Sequence, residues 1–316
     1  MTPDAPSILA ELTSCLSQGG IESAAAEAAT ILSQALGTSR AALAFADVPA
    51  ERAQQARTWA RHRAESHEPL QYILGTAVSG RLDMAVGPGV FIPRPETELL
   101  IDWALRTMPA PVAGQDAASV VIDLCSGSGT IALEVAHAMP SAQVYAVEAD
   151  SLALEWLRRN AATRAEAGDT PVTVCAADAT DDALLPELSG RASAVLSNPP
   201  YVPSGADLPA EVADHEPGVA LFAGPEGTDV IERLVPVAAR LLADGGIFAC
   251  EHDDSNGAAV TEILGRHGGF GRVNQHRDLA GRPRFVTAVR VRDFAENTRW
   301  NGADPLNHEQ RREHGR

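Results

Sequence analysis

From residue 97 onward, short apolar runs alternate with helical patterns, and this alternation constrains the fold of the 316-residue chain more than any other feature. Helix ETELLIDWALRTM leads into strand SVVIDLC, a glycine turn and helix TIALEVAHAM. Strand AQVYAVE, helix SLALEWLRRNAA and strands PVTVCAA and ASAVLSNPP follow. Helix TDVIERLVPVAARLL, strand GGIFACE, a helix from about Asn256 to His267 and strand RFVTAVRV complete the series. Strands alternating with helices predict an α/β fold, with a mostly parallel sheet covered on both faces. In such sheets ligands bind beyond the carboxyl ends of the strands, where strand order reverses. The strand ends are therefore where chemistry is sought.

The first 75 residues read differently. ILAELTSCL puts Ile8, Leu9, Leu12 and Leu16 on one helical face, with Gly19 and Gly20 as a stop. IESAAAEAATILSQALG is a second helix ended by Gly37, and Asp47 is placed to cap a third, VPAERAQQARTWARHRAES. Residues 1–75 thus form a helical unit suited to docking a partner. GTAVSGRLDMAVGPGVFIPRP, rich in Gly and Pro, predicts a hairpin linker over 76–96. The α/β region runs over 97–292, and residues 293–316, without periodicity, read as a disordered tail.

Composition narrows the chemistry. With 25 basic and 42 acidic residues the formal net charge is −17, which disfavours a grip on bare nucleic acid. All 25 basic residues are arginine, so P-loop, Schiff-base and kinase-type lysine chemistries are excluded. The cysteines Cys15, Cys125, Cys175 and Cys250 show no paired spacing, which fits a reducing compartment better than a disulfide or metal site. The N-terminus lacks a basic start and no apolar run is long enough for a bilayer, so a cytoplasmic protein without membrane association is expected.

Three successive strand ends carry site-like residues. In VIDLCSGSGTIALEV, Gly127 and Gly129 let backbone approach a ligand at a helix N-terminus, although a glycine turn that only packs helix on strand looks the same. GSGTIA also satisfies the dinucleotide pattern G-x-G-x-x-A. The next strand ends in Glu148, a carboxylate positioned for both ribose hydroxyls of an adenosine-type cofactor. The third ends in Asp178, which can accept from an adenine amino group or simply form a turn. The fourth strand ends in SNPPY. Pro199 and Pro200 lock φ and lack N–H groups, so the Pro199 carbonyl and the Asn198 side-chain oxygen can hold both hydrogens of a planar –NH₂. Pulling those hydrogens out of plane localises an otherwise delocalised lone pair, while Tyr201 offers a flat face to the substrate. A rigid proline turn is the alternative reading.

Taken together, DLCSGSG, VEAD, SNPPY and FIPRPETE resemble the peptide-chain release-factor glutamine methyltransferases (the PrmC/HemK family). EPLQYILG, GPGVFIPRPETELL, LLADGGIFACEHDD and DLAGRPRFVTAVR extend the resemblance over roughly residues 60 to 291. It implies a class I S-adenosylmethionine-dependent methyltransferase fold, Rossmann-like with a mostly parallel seven-stranded sheet. The implied reaction methylates the side-chain amide nitrogen of the glutamine in the GGQ loop of class I release factors, with the helical unit docking the release factor. Carried over, the resemblance places Asp123 and the loop Cys125, Ser126, Gly127, Ser128 and Gly129 against the cofactor's methionine part. Glu148 then faces its ribose, and Asp178 and Ala179 its adenine. Asn198 and Pro199 become the catalytic pair, Asn198 also touching cofactor, and Asn198, Pro199, Pro200, Tyr201, Phe91 and Arg94 hold the substrate. Glu96 to Glu98 help wall the site, and no metal is implied.

Two departures stand out. Cys125 occupies a position where the family has glycine, so a negative φ or a shifted turn is expected. Glu148 replaces aspartate. Adenine methylation in nucleic acid, an NAD-dependent oxidoreductase and a non-catalytic cofactor-binding module are the competing readings, and a monomer is the expected state.

Overall fold

The computed structural model describes residues 4–108 and 118–291; the tail expected over 293–316 lies outside them. Asp4 caps helix α1 (Ala5–Gln18) by accepting from the Ser7 N–H at 2.9 Å, and Ile8, Leu12 and Leu16 are buried along one face. Helix α2 (Ala24–Leu36) ends at Gly37 in the left-handed region, as its sequence predicts. Helix α3 (Ala50–Ser66) is not capped by Asp47: Pro49 occupies the N-cap without a side-chain bond, and Asp47 instead bridges to Asp4. A short helix α4 (Leu70–Leu74) follows, and the four pack around one apolar cluster.

Strands β1 (Thr76–Ser79) and β2 (Leu82–Ala85) make the hairpin. Its turn is held from outside. The Gly80 N–H donates to Glu98 at 2.8 Å, and the Arg81 and Leu82 N–H groups donate to Glu134 at 3.0 and 3.2 Å. Those carboxylates belong to helices α5 (Pro95–Thr107) and α6 (Thr130–Ala138), so the hairpin is fastened to the α/β region.

That region contains β3 (Val120–Leu124), β4 (Gln143–Glu148), α7 (Ser151–Glu166), β5 (Thr173–Ala176) and β6 (Ala192–Ser197). It continues through α8 (Ala210–His215), α9 (Asp229–Leu241), β7 (Leu242–Glu251), α10 (Gly257–His267), β8 (Phe270–Arg277) and β9 (Pro283–Arg290). The seven-stranded sheet has the order β5-β4-β3-β6-β7-β9-β8, parallel except for β9, which runs antiparallel to both neighbours. Every residue of β3 is buried, and apolar clusters cover both sheet faces. Chain order reverses between β3 and β6, opening the crevice that such sheets use for ligands. β8 has no counterpart in the strand patterns above: FGRVNQHR is a largely exposed edge strand, with a register shift and Arg272 at φ 52°. Among the described residues no helix is long and apolar enough to cross a membrane.

Arg63 joins the helical unit to the α/β region. Its buried guanidinium donates to Glu27 on α2 at 2.9 and 3.2 Å and to Glu211 on α8 at 2.6 Å. It also donates to the carbonyls of His67 and Glu68 at 2.9 and 3.1 Å. Removing one partner of a buried ion pair strands the other. Arg63→Ala is expected to lower unfolding free energy by about 3 kcal/mol in urea titrations, and an unchanged midpoint would show that this junction contributes little.

Candidate active site

The loop after β3 is shaped by three left-handed residues in five: Cys125 at φ 61°, Gly127 at 55° and Gly129 at 95°. Each glycine has its own reason. A Cβ on Gly129 would come within 2.6 Å of Leu157 Cδ1, whereas one on Gly127 would point into open space. Gly127 lines a cavity of about 410 Å³ at the crevice, so its missing side chain leaves bare backbone facing the cavity. Cys125 corrects the expectation of negative φ. Three hydrogen bonds fix the turn: Ser126 N–H donates to the Val147 carbonyl at 3.0 Å, the Ser126 hydroxyl to the Asp123 carbonyl at 3.0 Å, and Gly129 N–H to the Ser126 carbonyl at 2.8 Å. These bonds hold the loop in the glycine-type conformation, and the cysteine tolerates it at a cost of about 1–2 kcal/mol. Burial pushes its thiol pKa up, so the sulfur is a neutral, cavity-lining group.

Asp123 is fully buried under the loop and does not line the cavity. Its Oδ2 accepts from Ala132 N–H at 3.1 Å, while Oδ1 has no partner. Burial pushes its pKa up to about 7. Glu148 lines the cavity with its carboxylate fastened: Oε2 accepts from Gly127 N–H at 2.8 Å, and Oε1 from the Ala149 and Asp150 N–H groups at 2.9 and 2.8 Å. Each oxygen keeps acceptor capacity for a hydroxyl donor. Asp178 departs from the adenine-facing expectation. It is exposed and does not line the cavity; Oδ1 accepts from Thr180 N–H and Oγ1 at 2.8 and 2.7 Å, and Arg233 lies 3.7 Å from Oδ2. The turn-forming chemistry of aspartate wins there, and its neighbour Ala179 lines the cavity instead.

SNPPY meets this loop because β3 and β6 pair in parallel, with Leu124 opposite Ser197 and the Ser197 hydroxyl donating to the Leu124 carbonyl at 2.7 Å. Asn198, Pro200 and Tyr201 line the cavity. Pro199 is buried between them and does not line it, but its carbonyl accepts no hydrogen bond from the described residues. Asn198 Nδ2 donates to Thr97 Oγ1 at 3.1 Å, leaving Oδ1 without a partner among those residues. Thr97 Oγ1 lies 2.8 Å from Glu251 Oε2, and the Tyr201 hydroxyl donates to Glu251 Oε1 at 2.9 Å.

Phe91 and Arg94 also line the cavity, the guanidinium 4.8 Å above the phenyl ring. Arg94 pairs with the buried Glu216 carboxylate, which also accepts from Ile92 N–H at 3.3 Å. Of residues 96 to 98 only Thr97 reaches the cavity; Glu98 holds the hairpin, and Glu96 lies 3.8 Å from Arg284. Sequence reasoning missed Glu251, Glu216 and the apolar wall from Leu208 to Leu221 that faces the loop. Glu251 had a usable signal, since a carboxylate at the end of an otherwise apolar strand is the pattern that singled out Glu148.

Comparison with known proteins decides the family. A PrmC N-terminal domain family matches residues 7–75, and a methyltransferase small domain family matches 97–214. The release factor glutamine methyltransferase of Mycolicibacterium smegmatis is 46% identical over 279 residues, covering 88% of this chain and 95% of the relative. That of Corynebacterium glutamicum is 43% identical, covering 90% and 98%. The chain belongs to the release factor glutamine methyltransferase family. A 4-amino-L-phenylalanine/4-methylamino-L-phenylalanine methyltransferase of Streptomyces pristinaespiralis is also similar, at 39% identity over 64% of this chain and 67% of the relative.

For a release factor glutamine methyltransferase, the cradle fits the adenosyl cofactor that the fold family implies. Bare backbone at Gly127, the helix α6 N-terminus and the Glu148 carboxylate converge on one cavity wall. The family assignment also displaces the oxidoreductase reading prompted by GSGTIA.

Two measurements test this geometry. For Asp123, a folded-state pKa above the unfolded value makes the neutral form favour the native state below the ordinary carboxylate range, and that contribution is lost as pH rises through about 7. Unfolding free energy of the wild type should therefore fall between about pH 4 and about pH 7, and Asp123→Asn should reduce that fall; identical slopes would mean Asp123 titrates normally. At Cys125, glycine should change stability by less than about 1 kcal/mol, while valine, β-branched at positive φ, should cost about 2 kcal/mol or more. Equal tolerance of both in thermal melts would contradict the left-handed conformation.

Proposed function

We propose that this protein transfers a methyl group from S-adenosylmethionine to the side-chain amide nitrogen of the glutamine in the GGQ loop of peptide-chain release factors. One observation carries the reading: Asn198 spends its NH₂ on Thr97 and keeps its oxygen for a ligand, in a cavity bounded by the Gly127 loop and the apolar Leu208–Leu221 wall. An oxygen so presented suits an acceptor substrate that brings N–H donors, as a carboxamide does. The relatives that align over nearly the whole chain carry the same name for the reaction, whereas the aromatic amine enzyme aligns over less of it.

The cofactor, when bound, supplies an electrophilic methyl on a sulfonium sulfur. The chain's own residues bind and orient. The Gly127 loop backbone lies against the methionine part of the cofactor, and the Glu148 carboxylate holds its ribose. Asn198 Oδ1 and the Pro199 carbonyl accept the two amide hydrogens, turning the nitrogen lone pair toward the cofactor side of the cavity. Phe91 and Tyr201 pack the glutamine side chain, with Arg94 held in place by Glu216. The attack itself requires no acid–base residue, so positioning supplies most of the acceleration; the S–C bond breaks as the N–C bond forms, and the methylated nitrogen gives up one of its two protons to solvent. The helical unit docks the release factor, and its Arg63 contact with α8 ties that docking surface to the cavity wall.

Peptide mass spectrometry of an unmodified release factor, incubated with the protein and S-adenosylmethionine, tests the reading. One added methyl on the GGQ glutamine is expected, with Asn198→Ala slowing transfer at saturating cofactor about 100-fold or more. Methylation of 4-amino-L-phenylalanine or of adenine, with the release factor untouched, would replace this substrate with a free aromatic amine or a nucleobase.

A further inference from the structure

The two ends of an asparagine amide are nearly the same size, so shape alone does not decide which end faces a ligand. The partner of the other end decides it. At Asn198 that partner is the Thr97 hydroxyl, which has one hydrogen to give and lone pairs to receive. Thr97 in turn sits 2.8 Å from Glu251, a residue without a role in the reaction described so far. An ionised carboxylate only accepts, so the Thr97 hydrogen is committed to Glu251 and its lone pair is left for Asn198 Nδ2.

We propose that Glu251, acting through Thr97, sets the direction of the Asn198 amide, and so makes the site select a substrate –NH₂ over a carboxylate. This deepens the glutamine reading and rests on it. Both are positioning residues. Glu251 is buried at the end of β7 and reaches the site only through Thr97 and Tyr201, which donate to its two oxygens. Once neutral, Glu251 carries a hydrogen of its own. Donated to Thr97, it frees the Thr97 hydrogen for the Asn198 oxygen, and the amide then turns its NH₂ to the cavity. That end repels a carboxamide's N–H groups and would welcome a carboxylate.

The surroundings make this reversal accessible near neutrality. Burial, first, pushes the Glu251 pKa up to about 7, against the hydrogen bonds from Thr97 and Tyr201. Glu96 on α5 raises it further, and Arg284 on β9, itself bonded to Asp278 at 2.9 Å, opposes that. Beside it on β7, burial pushes the Cys250 thiol up and His252 down, so both neighbours are neutral. The charge in this nest that changes near pH 7 is Glu251 itself.

The test uses the full-length enzyme, a release factor and S-adenosylmethionine. Thr97→Val should lower kcat about 10- to 100-fold, the size expected for a lost hydrogen bond that orients a reacting group. Thr97→Ser should recover most of it, and cofactor affinity should stay within about twofold in all variants. In the wild type kcat should fall as pH drops through about 7, and this acidic limb should shrink in Glu251→Gln to whatever Asp123, titrating in the same range under the cofactor loop, contributes. Wild-type kcat in Thr97→Val, or an acidic limb unchanged in Glu251→Gln, would overturn the proposal. Failure of the glutamine reading looks different, as a wild type that methylates no release factor. Even then the amide direction is readable without turnover: the Asn198 Nδ2 protons in ¹⁵N spectra should shift with pH in the wild type and not in Glu251→Gln, and a pH-independent wild-type signal would reject the relay.

Discussion

The pairing of β3 with β6 is the constraint on which the site depends. Leu124 opposite Ser197 sets the register, and the Ser197 hydroxyl bonded to the Leu124 carbonyl locks the last rung. One residue beyond that rung the chain becomes the left-handed loop on one side and SNPPY on the other. Because side chains in a strand alternate between faces, a slip of one residue would turn Asn198 away from the cavity and bury its amide among apolar groups. Parallel pairing between strands so far apart in sequence needs burial to specify it. β3 is buried along its whole length, and β6 at every residue but Ser193.

Much of this was legible in the sequence because the signals were local. Strand–turn–helix in VIDLCSGSGTIALEV, a carboxylate ending AQVYAVE and the five-residue SNPPY each declare a strand end, and fold rules place strand ends together. The illegible parts are those where hydrogen-bond partners outside the motif decide. Asp178 carries the same signal as Glu148, yet Thr180 two residues on takes its carboxylate, while Glu148 finds the amides of Gly127, Ala149 and Asp150. β8 alternates poorly because it is an exposed edge strand, and α8 has no buried residue of its own. The Cys125 conformation could not be read from residue type, since loop hydrogen bonds override a preference of only a kcal/mol or two.

Asp47 teaches the same lesson on a smaller scale. Its position before a helix pattern suits a cap, but Pro49, two residues later, takes the N-cap of α3 and the aspartate's backbone pairs with Asp4 instead. Glu216 and Glu211 lie five residues apart on the segment that walls the cavity, one holding Arg94 and the other Arg63. That segment is thus pinned by arginines from both the linker and the helical unit. Both are side chains whose planar donor forks suit carboxylate partners.

The hairpin clamp has a consequence beyond local stability. Glu98 and Glu134 fasten the turn of the linker to two helices of the α/β region, and Arg63 fastens the helical unit a second time. A connection held at two points is a rigid spacer rather than a tether. If the helical unit grips the partner as proposed above, the partner's loop is presented at one fixed reach, and the local concentration of that loop depends on whether its own span matches. Under that docking proposal selectivity is partly metric: a correct loop on a body of the wrong length would be held out of range, and a free peptide would gain nothing from the ruler.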